Sequence, residues 1–330
     1  MIQVLTIRST PRTKGAGIDV YCQALKQLFS NDDRVCFLPI QDYPLTKIKV
    51  LKSFFKWRPF FKSLRDSNPE VIHINEYATF TTWQAFIAAR ILNIPIVYTA
   101  HWHPFERLRR PILARLFFNL LLKNQIRKYA YAVITLNNED TTYFKKFHHN
   151  VIRVPHWIRF DINQKCHEIK KQKNLILFVG RVYDSNKGIE HLYALPKDKY
   201  EVHIVGAGRL REERTDFIQH VNIPIEELQE LYAKASLLVV PSRYEAFSYV
   251  SLEALAYNTP VVMSERVRLA DYLEKYQWGK VFTFGDLNDF VDSVEKTIGQ
   301  NVDSTLLDIF DPIKIKKIYR DIYLKSINNQ

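Results

Sequence analysis

Leu237-Leu238-Val239-Val240-Pro241-Ser242-Arg243-Tyr244-Glu245-Ala246-Phe247-Ser248-Tyr249-Val250-Ser251-Leu252-Glu253-Ala254-Leu255 decides how this chain folds. Its first four residues are an unbroken apolar run, which reads as a strand buried on both faces. Pro241 and Ser242 end that strand. A turn follows that holds Glu245, and Tyr249 to Tyr257 then reads as a helix with Glu253 inside it. One acid therefore sits at the carboxyl end of a strand, where ligands gather in open parallel α/β sheets. The second lies two turns further on. Alone the pair is weak, because acids on helices are usually just solvated. Its meaning depends on what the other strand ends carry.

The same strand-then-helix order runs through the whole chain. The first half offers strands at Ile2–Ile7, Val35–Ile40, Val71–Ile74, Ile96–Thr99, Ala132–Leu136 and Val151–Val154. The second offers Leu175–Val179, Glu201–Val205, His220–Ile223, Leu237–Val240, Val261–Met263 and Lys280–Thr283. Such alternation in both halves predicts an α/β protein of two doubly wound domains, 1–156 and 157–330, changing over near Pro155-His156-Trp157. The last segment, Pro312 to Ile327, reads as a helix. It falls in the second range or packs back on the first domain, and its partner cannot be read from the sequence.

With 330 residues, 47% of them hydrophobic, the chain can bury two full cores. Cys22, Cys36 and Cys166 are odd in number and far apart, which argues against a disulfide framework and fits a reducing compartment. There is no CxxC and no His/Cys cluster of zinc spacing, so no metal site is expected. The chain enters a strand at Ile2, so no signal peptide is expected. The longest apolar stretch, Ile112 to Leu122, contains Arg115 and Asn119 and falls short of the roughly 20 residues a bilayer needs. The net charge of +12 is uneven. Residues 1–156 carry 23 Lys/Arg against 10 Asp/Glu, whereas 157–330 carry 24 against 25. The excess points the first half toward an anionic partner: membrane surface, phosphorylated lipid or nucleic acid.

Five strand ends carry candidate chemistry, each with a plainer reading beside it. Gly15 and Gly17 lie between the first strand and a helix, where a ligand can approach the backbone; the alternative is an ordinary turn. Val20 stands where a dinucleotide fingerprint needs its third glycine, which sets NAD binding aside. His101 follows the strand Ile96–Thr99 and can donate to a hydroxyl or phosphate, unless it only bonds backbone. For His103, in the same stretch, the structural reading is preferred. Gly180-Arg181 and Lys187-Gly188 put two cations at the lip of the sheet, able to hold a diphosphate or merely solvated. Gly206 and Gly208 leave room for a base or ribose, or form a tight turn. Glu245 can reach sugar hydroxyls and Glu253 a ribose. The amides of Phe247, Ser248 and Tyr249 sit at a helix N-terminus that favours negative charge.

In this order the five resemble the retaining glycosyltransferases of family 4, which have the GT-B fold, and the resemblance covers almost the whole chain. The matching residues are Gly15 and Gly17, Thr99-Ala100-His101, Gly180-Arg181 with Lys187-Gly188, and Glu245 with Glu253-Ala254-Leu255. Departures fall at Ala246 and Ser248, where the family commonly has glycine, and at Asn258 before Thr259-Pro260. These residues are small or turn-tolerant, so they bear on the donor-sugar pocket rather than on the fold.

The resemblance implies two Rossmann-like domains facing a central cleft. The nucleotide diphosphate sugar would be held mainly by the second domain and the acceptor by the first. A UDP-sugar would come first as donor and GDP-mannose next. Arg181 and Lys187 would stabilise charge on the departing diphosphate, so that no metal or other cofactor is required. The chain also has no Asp-x-Asp. Glu245 would orient the sugar and stabilise its cationic transition state, Glu253 would grip the ribose, and His101 would contact sugar or phosphate. The acceptor would be a glycan or lipid-linked, in cell-surface polysaccharide synthesis.

The basic first half fits such a role. Lys47–Arg65 holds seven cations, no acid, and five large aromatics; Arg107–Lys128 holds seven cations, no acid, and a leucine-rich run. Both suit an anionic membrane surface, which implies a cytoplasmic enzyme lying on the inner face of the cell membrane. The plainer reading is a core-facing helix with a solvated basic face. A sugar-nucleotide epimerase of the same fold is the nearest alternative. A basic nucleic-acid-binding protein ranks lower, because the neutral second half carries the ligand motifs.

Overall fold

Among the described residues the short apolar runs form twelve strands in two six-stranded sheets, and every strand pairing is parallel. The computed structural model describes residues 1–7, 17–38, 57–76, 80–101, 111–159, 166, 168–211, 214–303 and 308–328. The strands are β1 Ile2–Ile7, β2 Val35–Phe37, β3 Val71–Glu76, β4 Ile96–Ala100, β5 Ala130–Thr135, β6 Val151–Arg153, β7 Gln172–Val179, β8 Glu201–Val205, β9 Phe217–His220, β10 Ala235–Val240, β11 Val261–Ser264 and β12 Gly279–Phe282. The helices are α1 Gly17–Leu28, α2 Trp57–Ser67, α3 Phe80–Ile91, α4 Pro111–Phe117, α5 Lys123–Tyr129, α6 Asn138–Lys145, α7 Ile225–Lys234, α8 Tyr249–Ala256, α9 Ala270–Lys275, α10 Leu287–Thr297 and α11 Pro312–Asn328.

One sheet runs β2-β1-β3-β4-β5-β6 and the other β12-β11-β10-β7-β8-β9. In the second sheet the chain starts at β7, winds outward through β8 and β9, then returns to β10 on the other side. The strand order reverses between β7 and β10, which is where a doubly wound sheet opens a ligand crevice. All six residues of β10 are buried, as expected of a strand covered on both faces. In α8, Ser251 to Ala256 are also buried, so this helix is an interior element. Each fully buried Leu, Ile, Val or Phe contributes about 1.5–3 kcal/mol over the exposed state.

The chain forms two compact units: Met1–Pro155 together with Pro312–Gln330, and His156–Asp311. The range 157–330 expected for a second domain thus gives its last helix to the first unit. The reason is visible in α11, which buries Ile315, Tyr319, Ile322, Tyr323 and Ser326 at helical spacing. Two of its cations, Lys316 at 3.1 Å and Arg320, bind the fully buried carboxylate of Asp32. Burial alone would push that carboxyl up. The Arg320 hydrogen bond, the Arg34 amide, Lys316 and the Val35 amide together hold it down to about 2.

The strand expected at His220–Ile223 lies instead at Phe217–His220, with Val202 opposite Phe217 and Val205 opposite His220. Beyond His220 the ladder cannot continue. Asn222 takes a left-handed conformation (φ 56°), and Pro224 caps the following helix. The strand expected at Val35–Ile40 ends at Phe37, and Ile40 lies outside the described residues.

Candidate functional site

The second unit places Arg181, Lys187 and Glu245 at the carboxyl ends of β7 and β10, beside the reversal of strand order. Gly180 and Arg181 follow Val179 directly. Asp184 then caps a single 3-10 turn, Ser185–Lys187, by accepting from the Asn186 amide at 3.0 Å. Gly188 ends that turn in a left-handed conformation (φ 66°), and a Cβ there would lie 1.8 Å from the Pro241 carbonyl oxygen. Only glycine allows this approach. The Arg243 amide then donates to the Asn186 carbonyl at 2.7 Å, and the Asn186 side-chain amide donates to the Tyr244 carbonyl at 2.8 Å.

The two loops locked in this way bring Lys187 to Glu245. Lys187 Nζ donates to Glu245 Oε1 at 2.6 Å, and the Ser242 hydroxyl donates to the same oxygen at 2.7 Å. Glu245 is also fixed by its backbone, which bonds Arg266 and Arg268 across a bridge to the segment after β11. Arg181 donates to Asp184 Oδ2 at 2.7 Å. Both predicted cations are therefore partly buried and each is held by one carboxylate. A diphosphate entering here would exchange one anion for another rather than bind bare cations.

Glu253 is 1% exposed on α8 and is not a solvated helix acid. Its Oε1 accepts from Arg159 Nε at 2.9 Å and also from the second guanidinium nitrogen. Its Oε2 accepts from the Tyr232 hydroxyl at 2.9 Å. The Arg159 guanidinium also lies over the Tyr249 ring, 4.6 Å from its centroid, while His156 stacks on that ring at 4.0 Å. Burial by itself would lower Arg159, but the Glu253 carboxylate outweighs it and leaves the guanidinium raised. Burial, then Glu253, pushes the Tyr232 hydroxyl well up. Sequence reasoning missed Arg159 and Tyr232. They lie 94 and 21 residues from Glu253, and neither forms a local motif with it.

Phe247 and Ser248 are buried, and Ser248 stands at the start of α8, where its hydroxyl accepts from Ser251 at 2.8 Å. Asn258 is left-handed (φ 55°), so it supplies the conformation a glycine would. Neighbouring backbone fills the space beside Gly206, as a tight turn requires. A Cβ there would lie 1.9 Å from the Gly180 carbonyl oxygen, and one at Gly208 would meet Tyr183 and Val182. Close packing of the two loops accounts for both glycines before any ligand is invoked.

In the first unit His101 follows β4 and is buried, with its ring edge-on to Tyr21 at 4.7 Å. Thr99 of the same motif points into the core, where its hydroxyl bonds His73 Nε2 at 2.7 Å. Gly17 opens α1. Gly15 and His103 lie outside the described residues, as do Lys47–Lys56 and Arg107–Arg110 of the two basic stretches.

The rest of those stretches differ from one another. In α2, Phe60 and Leu64 are buried and Trp57 and Phe61 pack against the core, which is the plainer reading. The segment Pro111–Tyr129 buries Phe118, Leu122 and Ile126 but exposes Ile112 (75%), Leu113, Leu116 (49%), Leu120 (69%) and Leu121. One turn within it, Phe118–Leu122, is a π-helix. Arg115, Lys123, Arg127 and Lys128 belong to the same segment. No described helix is long and apolar enough to cross a membrane.

Comparison with known proteins agrees with this arrangement. Residues 9–161 match the family model described as Glycosyltransferase Family 4, and residues 173–300 match Glycosyl transferases group 1. A Klebsiella pneumoniae protein described as an uncharacterized 41.2 kDa protein in the cps region is 24% identical, over 84% of this chain and 78% of its own. The Campylobacter jejuni GalNAc-alpha-(1->4)-GalNAc-alpha-(1->3)-diNAcBac-PP-undecaprenol alpha-1,4-N-acetyl-D-galactosaminyltransferase is 27% identical, over 64% of this chain and 59% of its own. Among solved structures, sucrose-phosphate synthase from Thermosynechococcus elongatus superposes with a TM-score of 0.76 at 18% identity, covering 100% of both chains. Anabaena HepE in complex with UDP and glucose gives 0.74 at 16% identity, covering 97% and 99%. Two parallel six-stranded sheets, cations and a glutamate at a strand-order reversal, and family matches to both halves lead to one conclusion: the chain belongs to the group 1 glycosyltransferases of GT-B fold.

Proposed function

We propose that this glycosyltransferase moves a sugar from a nucleotide diphosphate sugar, with retention of anomeric configuration and without a metal ion, to a lipid-linked or glycan acceptor of a cell-surface polysaccharide. The observation that carries the reading is the Lys187–Glu245 pair, 2.6 Å apart with Arg181 at the adjoining strand end. Leaving-group charge needs fixed cations, and these two sit on loops locked by backbone bonds, so little reorganisation is required. Glu245, held by Lys187 and Ser242, orients the sugar and stabilises the positive charge that grows on its ring. Glu253, with Arg159 and Tyr232, takes the ribose end. His101 contacts sugar or phosphate from the first unit.

The donor is a UDP-sugar by preference and GDP-mannose next. The structure of HepE with UDP and glucose supports the UDP-sugar. The relatives named for capsular polysaccharide, lipopolysaccharide and undecaprenol-linked products support the acceptor class. The exposed leucine face beside Arg115 and Lys123 supports docking on an anionic membrane, and we take that surface to be the cytoplasmic one. Nucleic acid is not a partner in this reading.

The test is a panel of nucleotide sugars scored by thermal shift, with and without EDTA, followed by proton NMR of the product's anomeric centre. A donor-specific rise unaffected by EDTA, and a product of unchanged configuration, are expected. An inverted product would overturn the retaining reading, and an EDTA-dependent rise would overturn metal independence.

A further inference from the structure

The core of the first unit holds a chain of polar side chains that the site described above does not use. Tyr21, His73, Thr99, Tyr319 and Tyr323 are all fully buried. The Tyr323 hydroxyl bonds His73 Nδ1 at 2.8 Å, and His73 Nε2 bonds the Thr99 hydroxyl at 2.7 Å. The Tyr21 and Tyr319 hydroxyls meet at 2.5 Å, and both also bond the Thr99 hydroxyl. Five side chains from α1, β3, β4 and α11 thus share one hydrogen-bond network. Burial, with the nearby His101 adding to it, pushes His73 down to about 3, so His73 stays neutral and both its nitrogens are committed to the chain. Burial also pushes the tyrosine hydroxyls up, so none of them ionises at ordinary pH.

A polar network of this size in an apolar core is costly unless every member is satisfied, and once satisfied it fixes its members in one arrangement. Its end at Tyr21 lies against His101. The Tyr21 ring meets the imidazole edge-on at 4.7 Å and 74°. Two residues of β4 therefore divide the work: Thr99 anchors the network, and His101, two residues on, meets the ring that the network locks.

We propose that Tyr21 is a positioning residue for His101, and that Tyr319 and Tyr323 of the last helix hold Tyr21 through the buried chain of Thr99 and His73. This rests on the proposed role of His101 at the donor sugar or phosphate. It gives α11 a part in catalysis although none of its residues reaches the reacting atoms.

The test uses the full chain with ring-labelled histidine. Tyr319→Phe removes a single oxygen and keeps the packing; Tyr21→Leu removes the ring. Both are expected to move the NMR titration midpoint of His101 by about half a pH unit or more, while His148, bonded elsewhere to backbone, stays fixed. An unchanged His101 titration in both variants overturns the proposal. Turnover is then followed as nucleoside diphosphate release from the donor giving the largest thermal shift. Tyr21→Leu is expected to lower kcat about tenfold with KM nearly unchanged, and Tyr21→Phe, which keeps the ring but releases it from the network, to recover only part of that loss and to match Tyr319→Phe. In a His101→Ala background Tyr21→Leu is expected to cost nothing further, since the two residues act as one unit. Additive losses would show a merely structural role and sink the proposal. Wild-type turnover in His101→Ala alone would instead remove the His101 role while leaving the NMR result to stand separately. Should Tyr21→Leu not fold, Tyr319→Phe carries both measurements.

Discussion

Lys187 Nζ and Glu245 Oε1 lie 2.6 Å apart although 58 residues separate them in the chain. Neither side chain reaches the other by its own loop. The contact exists because Gly188 lets the Lys187 turn lie against the Pro241 carbonyl, where a Cβ would be 1.8 Å from oxygen. The cation proposed for the leaving group and the carboxylate proposed for the sugar are thereby set in one place. Lys187→Ala and Glu245→Ala are each expected to lower kcat by about a hundredfold or more, with circular dichroism unchanged. Near-normal turnover in either variant would remove the pair from the mechanism.

Gly188 gives a second, structural expectation. Gly188→Ala must displace the Lys187 turn, both for φ and for the Pro241 contact, at a cost of about 1–3 kcal/mol. Its activity should fall with its stability, whereas Lys187→Ala should lose activity alone. Urea titration of the two variants separates the cases, and a fully stable, fully active Gly188→Ala would show that the loop contact is dispensable.

Arg159 and Glu253 form a largely buried ion pair, and the two single removals should differ in kind. Arg159→Ala leaves the Glu253 carboxylate in the core with only Tyr232, at a cost of about 3–5 kcal/mol. Glu253→Gln keeps an acceptor oxygen for Arg159 and turns its amide N–H toward the Tyr232 hydroxyl, which can accept in turn, so its main effect should be weaker donor binding. Calorimetry with the preferred nucleotide tests this, and unchanged affinity in Glu253→Gln would end the ribose assignment.

Acid should unfold the first unit in two windows. His73 has an ordinary value of 6.5 and falls to about 3 when buried, so below 6.5 the unfolded chain gains a proton that the folded one refuses. Its contribution is full above 6.5 and is lost as the pH drops toward 3. Asp32 falls from 3.8 to about 2, so its contribution is present above 3.8 and is lost as the pH drops toward 2. In Asp32→Asn the lower window should vanish from a pH series of urea midpoints while the upper one persists.

Both sheets and the glutamate pair were legible in the sequence because they rest on local signals. β10 is one apolar run, Pro241 stops it, and Glu245 and Glu253 lie within a single strand–loop–helix unit. What stayed hidden depends on distant pairing. Nothing near Asp32 announces Lys316 and Arg320, and nothing near Glu253 announces Arg159. The aromatics of α2 show the converse limit. Cations interleaved with Trp57, Phe60 and Phe61 look alike whether the rings face lipid or core, and only packing shows that they face the core.

The exposed face of Pro111–Tyr129 keeps the membrane reading open to a direct trial. The protein should co-sediment with anionic liposomes at low salt and release as salt rises. Leu116→Ser with Leu120→Ser should weaken binding several-fold without changing turnover on a soluble acceptor, since both side chains point to solvent. Equal binding by the double variant would move the contact elsewhere.

Because α11 completes the core around His73 and Tyr21, the unit begun first during synthesis is finished last. Asp32 emerges from the ribosome 288 residues before Arg320. For that whole interval Asp32 lacks Lys316 and Arg320, His73 lacks Tyr323 and Tyr21 lacks Tyr319, while His156–Asp311 has every strand it needs. The nascent first unit is therefore the stage at which this protein is most exposed to misfolding and chaperone capture.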